Sequence, residues 1–249
     1  MIILLFPLGI VAGIVAAILG IGGGLVMVPV LNLVGATPLQ ATATSLVGIF
    51  LGASSATVQN FWTKNLDFKL VIYLSLSALF TTELGVRLAN SLPPRYLLLG
   101  FAVFLVAAIF LIQLKRHVTP DRGKQGFWVT PLIGGITGLL SGLLGVGGGL
   151  VMVPLQMLWL GQNIKDAIRS SLGAITIISL WGVSSHGIKG NILWQEGILL
   201  GLGSTIGGQL GAKLLPKLPD RVVTQLLRGF LLIMAFYMTY KALIFNPQN

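Results

Sequence analysis

An eleven-residue run occurs twice in this chain, as Leu19-Gly-Ile-Gly-Gly-Gly-Leu-Val-Met-Val-Pro29 and as Leu144-Gly-Val-Gly-Gly-Gly-Leu-Val-Met-Val-Pro154, with ten of eleven positions identical. A match of that length within one sequence marks an internal duplication. The offset between the copies is 125 residues through the run and 126 beyond it, because one residue is gained in between. At the later offset Ser45-Leu46 meets Ser171-Leu172, Asn65 meets Asn191, and Leu84-Gly85 meets Leu210-Gly211. Leu92-Pro93 with Arg95 likewise meets Leu218-Pro219 with Arg221. Any fold must therefore be two copies of one unit: a first repeat over 1–114, a polar connector over 115–127 and a second repeat over 128–249.

Each unit is built for lipid. The chain is 55% hydrophobic and only 9% charged, with a mean hydropathy of +0.92, whereas soluble domains carry about 25% charged residues. Several charge-free runs reach the roughly 20 apolar residues that a bilayer-crossing helix needs. The expected class is an all-α, polytopic helical membrane protein, one integral domain lodged in the cell membrane. The first apolar run lacks a basic leading segment, and its copy at 128–144 is internal, so it reads as mature fold rather than as a signal peptide. There is no cysteine, which removes disulfides, thiolate metal sites and a cysteine nucleophile. The net charge of +10 has two readings: Lys and Arg retained in cytoplasmic loops, or attraction of an anionic solute. Nucleic acid is not an expected partner; the lipid bilayer is.

Eight principal hydrophobic segments follow, four in each half. The first, from Ile2, is interrupted at Gly20-Ile-Gly-Gly-Gly24 and resumes as a short piece from Leu25 to Val34 that contains Pro29. Consecutive glycines unwind a helix, each costing about 1 kcal/mol relative to Ala, and a proline frees the carbonyl four residues earlier. Thr37–Thr63 is charge-free and rich in small residues, which suits close helix packing in lipid. Leu70–Leu92 and Tyr96–Leu114 complete the first repeat. Trp128–Leu144, Leu150–Leu160 with Pro154, 167–186, Ile192–Leu215 and Val222–Phe245 repeat the plan.

Orientation depends on the interrupted segment. If every segment crosses once, the repeats are parallel and Lys and Arg divide eight to each side. If the glycine break makes the first segment re-entrant, the repeats are inverted. Lys64, Lys69, Lys115, Arg116, Arg122, Lys124, Lys165, Arg169, Lys213, Lys217, Arg221 and Arg228 then share a side, against Arg87, Arg95, Lys189 and Lys241 opposite. Twelve against four is the asymmetry that cytoplasmic retention of positive charge produces. The piece after the glycines is also too short to span at about 1.5 Å per residue. Inverted repeats are the expectation, and in both arrangements the 115–125 connector is cytoplasmic.

Broken helices at matched places in two inverted halves point to a binding site near the midplane. A break exposes backbone N–H groups at the positive end of the following helix, and glycine lets a ligand come close to them. Two such ends would cradle a small anion through Gly22, Gly23 and Gly24 and through Gly147, Gly148 and Gly149, with Pro29 and Pro154 as the helix-breaking positions. Tight helix crossing is the structural alternative. Thr44-Ser45 and Ser170-Ser171 occupy matched positions early in the next helix, where hydroxyls can donate to an oxyanion without burying a charge or can simply pack. Arg169 is either a cationic anchor or a side chain snorkelling to the interface. Asn60 and His186 match near the far end of that helix. His186 is the residue able to couple a proton to transport, or is an interface residue. Arg87 with Lys213, and Glu83 with Gln209, also match and read as helix-end residues. No cofactor or metal motif is present, and the glycine run has neither the dinucleotide spacing nor the Lys-Ser/Thr of a P-loop.

The doubled Leu-Gly-(Ile/Val)-Gly-Gly-Gly-Leu-Val-Met-Val-Pro, followed in each half by Ala43-Thr-Ser-Leu46 or Arg169-Ser-Ser-Leu172, resembles the sulfite exporter TauE/SafE family along essentially the whole chain. That resemblance implies a secondary transporter whose substrates are sulfite, organosulfonates and related sulfur oxyanions. The expected function is alternating-access movement of such an anion, with export as the direction and with proton coupling and a homodimer left open. The alternatives are an anion channel using the same glycine breaks and an intramembrane enzyme. The enzyme reading lacks His-Glu-x-x-His, paired aspartates or a nucleophilic cysteine.

Overall fold

The computed structural model describes residues 4–89, 99–100, 102–103, 105–107, 109–110, 128–144 and 148–244. Every regular element among them is helical. The first repeat supplies α1 (Leu5–Leu19), α2 (Gly24–Leu33), α3 (Pro38–Trp62) and α4 (Phe68–Ala89). The second supplies α5 (Val129–Leu144), α6 (Gly149–Trp159), α7 (Ile164–Ile188), α8 (Trp194–Leu214) and α9 (Asp220–Ile244), with a 3₁₀ turn at Leu215–Lys217. Segments within α3, α4, α7 and α8 are long and apolar enough to cross a membrane, whereas α1, α2, α5 and α6 are short apolar helices. The connector falls outside the described residues.

Local signals set the boundaries. Thr37 opens α3 with a capping box, its Oγ1 accepting from the Gln40 N–H at 3.3 Å while Gln40 Oε1 accepts from the Thr37 N–H. Such a pair satisfies two orphan donors of the first turn. Asn163 does the same for α7 by accepting from the Asp166 N–H at 2.8 Å, so that helix starts three residues before the expected Ala167. Gly20 ends α1 in the left-handed region (φ 72°), and Gly22 and Gly23 follow at 80° and 86°. A side chain at these positions would cost about 1–2 kcal/mol per residue, which is why the break is glycine.

The repeats interlock through exchanged partners. The first helix of each repeat packs on the fourth helix of the other, α1 on α8 and α5 on α4. In the first pair a β-carbon on Gly203 would meet the Phe6 carbonyl, one on Gly207 the Ile10 carbonyl and one on Gly211 the Ile14 carbonyl. Glycine every fourth residue thus lets the two backbones touch, as small residues do throughout membrane bundles. Residue numbers rise together along this seam, so α1 and α8 run in the same direction. The α4–α5 seam behaves likewise, with Leu74 against Gly134 and Ala78 against Gly138. α3 also runs with α8, through Thr44 and Val47 at Gly197, Leu51 at Gly201 and Ser55 at Gln209. α3 and α7 run oppositely: Leu46 meets Gly182, and Thr57 shares a 3.2 Å hydrogen bond with Thr176.

The core is a continuous apolar cluster that includes Ile21, Met27, Leu74, Ile133, Met152, Ile168 and Leu200. Outside it, Phe80, Ile188 and Phe236 are largely exposed, as lipid-facing side chains are. Trp62, Trp128, Trp159 and Trp194 stand at or next to helix ends, where indole rings settle at the membrane–water interface.

Candidate functional site

The two glycine breaks meet. Gly149, first residue of α6, lies with its α-carbon against the Gly20 carbonyl and within reach of Ile21, and Gly20 in turn packs on Val153 and Ile168. Around this contact the repeats differ. On the α2 side Gly22, Gly23 and Gly24 are all buried, and a β-carbon on Gly23 would lie 3.3 Å from Ala16 Cβ and from Met27 Cε. That break is filled by protein.

On the α6 side the helix start opens into a cavity of about 250 Å³ lined from α3, α4, α5 and α7. Gly148, the N-cap of α6, forms part of its wall, and no side chain caps that helix. The Gly148 carbonyl accepts from Val151 and Met152, which leaves the N–H groups before Val151 without an intrahelical partner. Thr42, Thr82, Ser141, Ser179 and His186 supply the polar wall, and Leu46, Ile49, Ile178 and Trp181 are among its apolar members. Among the described residues, no Asp, Glu, Lys or Arg lines it. The Ser179 hydroxyl donates to the Ile175 carbonyl at 2.6 Å, and Thr82 to the Ala78 carbonyl at 2.6 Å. Each hydroxyl keeps its oxygen toward its own helix until a stronger acceptor draws the proton away. The His186 Nδ1 lies 3.4 Å from the Asn191 side-chain amide. The cavity is thus a largely apolar chamber with four hydroxyls and one imidazole in its wall, at the positive end of an eleven-residue helix.

The residues singled out in the sequence divide. Gly148 and His186 line the cavity, and Gly149 joins the two breaks. Pro29 and Pro154 lie inside α2 and α6 rather than at their ends. Gly147 falls outside the described residues. Thr44 Oγ1 accepts from the Leu193 N–H at 3.0 Å, so it serves the start of α8. Ser45 donates to the Thr42 carbonyl at 2.8 Å, and Ser170 to the Asp166 carbonyl at 2.8 Å. Ser171 accepts from Gln156 Nε2 at 2.8 Å, tying α7 to α6 in the interior. Arg169 is buried, and its Nη1 donates to Asp166 Oδ1 at 3.0 Å. Asn60 is buried.

Thr42, Thr82, Ser141 and Ser179 were not legible as site residues. Their counterparts in the other repeat are Ile168, Gly208, Ala16 and Ala53. Comparing the repeats selects shared residues, so a chamber present on one side only escapes it.

Apolar spans, interlocked repeats and a buried helix end facing a cavity are those of a polytopic membrane transporter. The chain belongs to the sulfite exporter TauE/SafE family, whose pattern it matches over residues 5–238. It is 26% identical to the probable membrane transporter protein YunE of Bacillus subtilis, over 97% of this chain and 98% of that one. It is 28% identical to a probable membrane transporter protein of Haemophilus influenzae, over 96% and 92% of the two chains. A probable membrane transporter protein of Methanocaldococcus jannaschii is 26% identical over 94% of both. No solved structure matches the chain.

Proposed function

We propose that this protein is a secondary carrier, not an enzyme, that moves a small anion across the cytoplasmic membrane by alternating access, and that sulfite or a related sulfur oxyanion or organosulfonate is the cargo. The observation that carries the reading is the uncapped start of α6 at Gly148, opening into a largely apolar cavity that carries four hydroxyls and, among the described residues, no carboxylate. Oriented N–H groups at a helix start attract an anion, and no carboxylate among the described lining residues opposes that attraction. Hydroxyls add donors without the cost of a buried charge.

Helix directions support inverted repeats. With α1 parallel to α3, the α1–α2 pair enters and returns on one side, so each repeat makes an odd number of crossings. With α3 antiparallel to α7, equivalent helices point oppositely. The positive-inside tendency then puts the Lys64 end of α3 and the 115–125 connector in the cytoplasm. The cavity, between the start of α3 and the end of α7, opens toward the other side. The closed α3–α8 seam favours a carrier over a channel, since the described residues line no continuous path. His186 is the titratable side chain of the lining, and we assign it the coupled proton.

Counterflow in proteoliposomes tests the reading. Saturable exchange of sulfite, sulfonate or thiosulfate supports it; an ohmic current supports the channel. Absence of any anion flux across that panel overturns it.

A further inference from the structure

The cavity is an elongated slot with unlike ends. Its α7 wall runs from Ile175 to His186, a span of about 16 Å at the helical rise of about 1.5 Å per residue. The inner end lies at the start of α6, where a β-carbon on Gly149 would come within 2.7 Å of Ile175 Cδ1. Ile175 and Ile49 are buried there, whereas Trp181 and Leu39, also in the lining, are exposed. The slot therefore starts in the protein interior and opens outward along α7.

Polar groups are spread unevenly along it. Ser179 stands one turn from Ile175 on α7, and Ser141 stands one turn from Thr137 on α5. Thr137 is the residue on which Gly148 packs; it is 0% exposed, and its Oγ1 has no hydrogen-bond partner. Hydroxyls thus gather at the inner end, beside the free N–H groups of α6. The next turn is hydrocarbon: Leu46, which lies against Gly182, together with Ile178 and Trp181. Polarity returns at the mouth with His186 and with Thr42, one turn from Leu46 toward the start of α3.

A bare sulfur oxyanion fills the inner end and leaves that hydrocarbon turn against water. An apolar tail would displace the water, and each methylene buried tightens binding about fourfold. A tail bearing an ammonium would gain nothing comparable. Among the described residues no carboxylate lines the slot, so the cation would lose its hydration without a partner.

Resting on the carrier reading above, we propose that the cargo is an organosulfonate with an uncharged hydrocarbon body. Its sulfonate sits at the start of α6 near Ser141 and Ser179, and its body lies outward along α7 against Leu46, Ile178 and Trp181. Sulfite and zwitterionic aminosulfonates bind the same inner end more weakly.

Affinities of the purified, unaltered protein for sulfite and for ethane-, propane-, butane- and hexanesulfonate test this, read by thermal stabilisation and by counterflow in proteoliposomes. Binding is expected to tighten about fourfold per added methylene until the slot is filled. Propanesulfonate should bind at least about tenfold more tightly than aminoethanesulfonate, which differs from it by an ammonium in place of a methyl. Trp181→Ala, at an exposed position, should remove the gain from butane- to hexanesulfonate and leave ethanesulfonate unchanged. Ser179→Ala should weaken every member of the series by the same factor. Affinity that is flat or falls with tail length overturns the proposal, as does aminoethanesulfonate binding as tightly as propanesulfonate. If sulfite still exchanges in that case, the carrier reading stands without this cargo. If no member of the series binds or exchanges, both fall. Equal stabilisation by hexyltrimethylammonium would show that the tail binds without its anionic head, and would also overturn the proposal.

Discussion

The α-carbon of Gly149 rests on the carbonyl oxygen of Gly20, so the short helix of one repeat begins directly on the break of the other. A methyl group at 149 would collide with that oxygen and lie 2.7 Å from both Ile21 Cα and Ile175 Cδ1. Two of the three obstacles are backbone and cannot rotate away. Gly149→Ala is expected to destabilise the protein by at least the roughly 1–3 kcal/mol typical of overpacking. Thermal unfolding in detergent checks this; an unchanged midpoint contradicts the contact.

Equivalent glycines of the two motifs answer differently to the same change. Gly23 has φ 86° and Gly148 has φ −58°. Gly23→Ala therefore carries the left-handed penalty of about 1–2 kcal/mol, while at Gly148 the backbone accepts alanine but the new methyl collides with Cγ2 of the buried Thr137, an overpacking cost of about 1–3 kcal/mol. Thr137→Ser, which removes that methyl, should restore the melting midpoint of Gly148→Ala and leave that of Gly23→Ala unchanged. Equal rescue of both, or of neither, would mean that the breaks do not differ as described.

Two serines on α7 separate stability from binding. Ser171 receives the Gln156 amide in the interior, whereas Ser179 lines the cavity. Ser171→Ala should lower the melting midpoint, by about 1–3 kcal/mol for a buried amide left short of a partner, with little change in half-saturation. Ser179→Ala should raise the half-saturation for the anion with little change in melting. Equal effects of both on half-saturation would contradict the assignment of the cavity.

His186→Asn places on α7 the residue that its counterpart Asn60 contributes to α3. Asparagine keeps hydrogen-bonding capacity and loses the titration that histidine undergoes near neutrality. The variant should transport with a flattened dependence on pH. An undiminished pH dependence removes His186 from proton coupling.

The duplicated motif, the membrane class and nearly every helix boundary could be read from residues alone, because glycine runs, caps and charge-free stretches act locally. Asn163 with Asp166 carried the true start of α7 in the same code and was passed over. The site was legible only in part. Gly148 and His186 announce themselves by matching Gly23 and Asn60, but matching treats the halves as equals. The protein holds one half open and the other shut, so Gly23 is packed by Ala16 and Met27 while Gly148 packs on Thr137 and lines the cavity. Which face of a small-residue helix its hydroxyls take was equally hidden. Thr44 and Ser171 read from the sequence as donors to a ligand, and in the structure their oxygens accept from Leu193 and Gln156, partners about 149 and 15 positions away.

The central claim is that an anion sits at the start of α6. Selenite, a heavier congener of sulfite, can be bound to the purified protein and located by its anomalous scattering in crystals. The account predicts a selenium peak in the cavity beside Gly148 and Ser179, diminished when sulfite competes. A competable selenium peak elsewhere in the bundle, with that cavity empty, would contradict it.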